Sequence, residues 1–159
     1  MKKISIFLAL IIIAISCKSK SEAVQYNEAI VAAFADFSKE LSSEMQVVRT
    51  SEDSLTKIEA LNKLEKAADN ALGKIEKLKT PTEATEYQNT VVGMIRNVRD
   101  TYIPANKDLL SIVSDSLRSE DYNSIAIKIN EIATNIQGEI SKAKELQKNF
   151  AEAIDSKLK

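Results

Sequence analysis

Four apolar stripes, each stepping by three or four residues, constrain this 159-residue chain more than any other feature. The first runs Ile30, Phe34, Phe37, Leu41, Met45 and Val48. The second takes Leu55, Ile58, Leu61, Ala68, Ala71, Ile75 and Leu78, with a turn skipped at Glu65. The third is Ala84, Tyr87, Val91, Ile95, Val98, Tyr102, Ala105, Leu109 and Ile112. The fourth is the most regular: Tyr122, Ile125, Ile129, Ile132, Ile136, Ile140, Ala143, Leu146, Phe150 and Ile154. A helix turns every 3.6 residues, so such spacing keeps apolar side chains on one face, whereas a strand needs alternation by two. Three glycines and two prolines are too few for a loop-rich or all-β fold.

The breaks between stripes carry helix-start chemistry. Thr50-Ser51-Glu52-Asp53 offers oxygens that accept from free N–H groups and charge that suits a positive helix end. In Thr80-Pro81-Thr82-Glu83, Thr80 is placed to cap, Pro81 to open the helix and Glu83 to close a capping box. Ser119-Glu120-Asp121 repeats the pattern before Tyr122. Helices of roughly 27, 27, 36 and 38 residues would extend about 40–57 Å. Short connections predict an all-α, up-down-up-down antiparallel four-helix bundle over residues 22–159.

Two features disturb the regularity. Pro104 lies inside the third stripe, where it removes a backbone donor and should kink the helix near Tyr102-Ile103. Gly73, Gly93 and Gly138 all fall within helices, where they mark close helix approach, space beside a groove, or positions that solvent tolerates.

Ahead of the stripes lies a different kind of segment. Lys2 and Lys3 precede an apolar run from Ile4 to Ile15, interrupted by Ser5, and Ser16 then stands before Cys17. This resembles a bacterial lipoprotein signal peptide with Ala14-Ile15-Ser16-Cys17 as its lipobox. The resemblance implies cleavage before Cys17 and acylation of that residue, so residues 1–16 are an address, 17–21 a lipidated tether and 22–159 the folded domain. The alternative is an N-terminal membrane anchor, but about twelve apolar residues fall short of the roughly 20 a spanning helix needs. Cys17 is the only cysteine, so the chain has no internal disulfide, and lipidation gives that sulfur a role. More than one acyl chain gives durable attachment. From Lys18 to Ser21 the tether reaches about 14 Å at roughly 3.4 Å per residue, which holds the domain near the bilayer. Lys18 follows Cys17, a pattern that resembles outer-membrane sorting in enteric bacteria, while the envelope face stays open.

Chemistry is sparse. The chain has no histidine, so the usual neutral-pH acid–base group and commonest metal ligand is missing. Its one thiol is expected to carry lipid. No phosphate-binding glycine loop or nucleophile elbow occurs, and the absence of a basic stripe or of basic–aromatic interleaving argues against nucleic-acid binding. The carboxylates of the second and fourth helices mostly stand off the apolar stripe. Asp53–Lys57 and Glu59–Lys63 are spaced as pairs on a solvated face. Glu65 fits a helix rim better than a catalytic position. Tyr26, Tyr87, Tyr102 and Tyr122 are expected to fill the core and send their hydroxyls to its edge.

The order of elements resembles a family of uncharacterised helical lipoproteins described only as bacterial surface proteins. The likeness is carried by Tyr26-Asn27-Glu28-Ala29-Ile30-Val31 and Ala71-Leu72-Gly73-Lys74-Ile75-Glu76-Lys77-Leu78. Lys128-Ile129-Asn130-Glu131-Ile132 and Leu146-Gln147-Lys148-Asn149-Phe150-Ala151 complete it. It implies an address and a fold, with no catalytic residues. The expectation is therefore a non-enzymatic, membrane-tethered module without cofactor or metal. Its partners would be the lipid bilayer, through Cys17, and an envelope protein or ligand. The alternative is a ligand-binding or sensory bundle with a pocket at Tyr102, Pro104 and Asn106, beside the break in the third helix.

Overall fold

In a computed structural model the described residues are 22–114 and 119–157, with the side chains of 113–121 and 157 outside the description. The lipobox, Cys17 and the tether lie outside the described residues. The described chain is all-helical, with no strand among those residues. Helix α1 spans Glu22–Thr50, α2 Ser54–Ile75, α3 Thr85–Asn97, α4 Ile103–Ser114 and α5 Ser119–Lys157. A 3₁₀ turn, Thr82–Ala84, leads into α3, and a π-helical turn, Val98–Tyr102, joins α3 to α4 as one interrupted rod.

The stripes pack into a single core. Ile30 and Phe37 of α1, Leu61, Leu64 and Ile75 of α2, Val91, Met94 and Ile95 of α3, and Ile136 and Ala143 of α5 are almost wholly buried. At about 1.5–3 kcal/mol per large side chain removed from water, this burial is what holds the helices together. Ion pairs line the seams. Glu76 meets Arg96 at 2.7 Å, Asp69 meets Arg99 at 3.3 Å and Glu65 meets Lys107 at 2.8 Å. Lys142 meets Glu86 at 3.2 Å, and Lys79 reaches Glu22 at 3.9 Å.

Asp53 caps α2, its carboxylate accepting from the Thr56 N–H at 2.8 Å. The Thr56 hydroxyl donates to the same carboxylate, and that bond first, with the N–H bond beside it, favours the ionised form and holds the Asp53 carboxyl below the usual carboxylate range. The second break departs from its expected capping box. Pro81, not Thr80, stands at the cap position and makes no side-chain bond there, and the first turn is 3₁₀. The Thr80 hydroxyl turns instead to the Gln88 side-chain oxygen, while the Gln88 amide nitrogen donates to the Ile75 carbonyl at the end of α2. Gln88 thus adds a second donor to a C-terminal carbonyl that already accepts from the Leu78 N–H at 3.1 Å. At the third break α5 already begins at Ser119, three residues before Tyr122.

Other expectations need correction. Leu55 is 70% exposed, Ile58 36% and Tyr122 43%, so the ends of the second and fourth stripes are not core. A side chain at Gly73, Gly93 or Gly138 would meet nothing within 4 Å, which removes close helix approach as their explanation. Leu78 lies beyond α2, which stops at Ile75.

Candidate functional site

Pro104 sets the geometry of the interrupted rod. In a continuous α-helix its missing N–H would leave the Asp100 carbonyl without a donor, and its ring would press on that carbonyl. The chain widens into a π turn just before it, and the Ile103 N–H donates to the Val98 carbonyl, five residues back. Proline then sits in the first turn of α4, where no N–H is required. Such single π turns recur at functional sites in helices.

Around this turn the three candidate residues divide. Tyr102 and Asn106 are 2% and 6% exposed, whereas Pro104 faces solvent. The Asn106 side-chain amide donates to the Tyr102 carbonyl at 2.8 Å. Burial pushes the Tyr102 hydroxyl above its ordinary pKa, offset in part by the nearby Arg49 charge and by Asn106. The structure therefore brings Tyr102 and Asn106 together, with the Asn106 donor already directed to the chain's own backbone. Glu65, on the adjoining face of α2, is half-buried and ion-paired to Lys107, a rim position.

A second polar cluster lies at the end of the molecule where α1 begins. Tyr26 packs edge-on against Phe150, ring centres 5.9 Å apart. The Tyr26 and Tyr87 hydroxyls are both buried and complete no hydrogen bond, which corrects the expectation that they reach the edge. Burial raises both pKa values. Tyr87 is raised further by its proximity to Tyr26. Nothing in the sequence signalled this pairing, because Tyr26 and Tyr87 are separated by an entire helix and its connection. Among the described residues no cluster of His, Cys, Asp or Glu could hold a metal ion, and no helix is long and apolar enough to cross a membrane. No family model, curated protein or solved structure matches the chain.

Proposed function

We propose that this chain is a membrane-anchored bacterial lipoprotein whose helical domain is a non-enzymatic binding or structural module of the cell envelope. The observation that carries the reading is the N-terminal sequence: Lys2-Lys3, the apolar run Ile4 to Ile15, and Ala14-Ile15-Ser16-Cys17. Its likeness to helical surface lipoproteins and an outer-membrane address belong to the same proposal. The domain is an up-down-up-down antiparallel bundle in this reading. Support comes from the seam pairs, in which numbers fall along one helix as they rise along the next: Glu76–Arg96, Asp69–Arg99, Glu65–Lys107. Glu22–Lys79 and Tyr26–Phe150 support the start of α1 lying beside the end of α2 and the end of α5.

The test is direct. Replacing Cys17 with Ala should abolish incorporation of a labelled fatty acid and leave the chain uncleaved or released from the membrane fraction. Fatty-acid labelling and cleavage unchanged in that variant would overturn the anchor.

A second reading, a small ligand held between helices, draws on the π turn with Tyr102 and Asn106 buried beside it. It predicts that Tyr102→Ala and Asn106→Ala weaken capture of whatever co-purifies with the acylated protein while helicity persists. Unchanged capture in both variants would discard it.

A further inference from the structure

We draw no further inference here: the strongest candidate, the buried side-chain cluster of Tyr26 and Tyr87 at the end of the core where α1 begins, carries none, because nothing among the described residues shows a cavity beside the two hydroxyls or the chemistry of what would fill it.

Discussion

Cutting Ile136 back to alanine separates a buried part of the fourth stripe from its uncovered part. Ile136 is completely buried in the middle of α5, opposite the helices that make the core. The substitution deletes three carbon atoms, about 0.8 kcal/mol each in lost transfer energy, so about 2.4 kcal/mol before any cavity is counted. Incomplete collapse of the surroundings brings the total to about 3–4 kcal/mol, within the range for such truncations. An unfolding entropy of about 2.1 cal/mol/K per residue over a domain of this size converts 3 kcal/mol into a drop in Tm of about 10 °C. Tyr122→Ala removes a larger side chain from the same sequence stripe, but one that is 43% exposed, and should cost less than about 1 kcal/mol. Residues 22–159 would be unfolded by heat and by urea, with helicity followed by circular dichroism. Equal losses at the two positions would refute the division of α5 into a packed and an open part. A loss at Tyr122 alone would mean the stripe packs from the wrong end.

Gly93→Ala and Gly138→Ala should each stabilise the domain by about 0.5–1 kcal/mol, because the added methyl meets no neighbour and the unfolded chain loses freedom; a lower urea midpoint would contradict this. Tyr87→Phe should be neutral or stabilising at neutral pH, since it removes a buried hydroxyl with no partner. The raised pKa of Tyr87 and Tyr26 means their contribution to stability is complete below 10.0, the unfolded value, and is lost as pH rises toward the higher folded values. The alkaline fall in Tm should therefore be shallower in Tyr87→Phe, and an unchanged slope would place the titration elsewhere. Asp53 has the opposite sign. Its lowered pKa adds stability above the ordinary value of 3.8 that fades as pH falls through the lower folded value, and Asp53→Asn should flatten this acid limb. Asn106→Ala should cost about 0.5–1.5 kcal/mol by removing the buried side-chain bond to the Tyr102 carbonyl, measured by urea unfolding.

The helices themselves were legible in the sequence because helix periodicity is local: Ile30 to Val48 and Ile132 to Ile154 fall on one face whatever surrounds them. Asp53 was legible for the same reason, since a cap needs only the three residues after it. Pro104 announced an interruption but not its form. A kink and a π turn both relieve the same clash, and the packing of Val98, Tyr102 and Ile103 into the core goes with the π turn. Tyr102 and Asn106 are candidates with Pro104 because they flank the interruption, but that Asn106 bonds to the chain's own carbonyl is not legible there, because rotamers depend on neighbours from other helices. Periodicity also continues unbroken from Tyr122 through Ile136, while burial starts only at Ile132. Sequence decides which face of a helix is apolar. Where along its length that face is covered depends on how far the partner helices reach, and only the tertiary structure holds their lengths and register against one another.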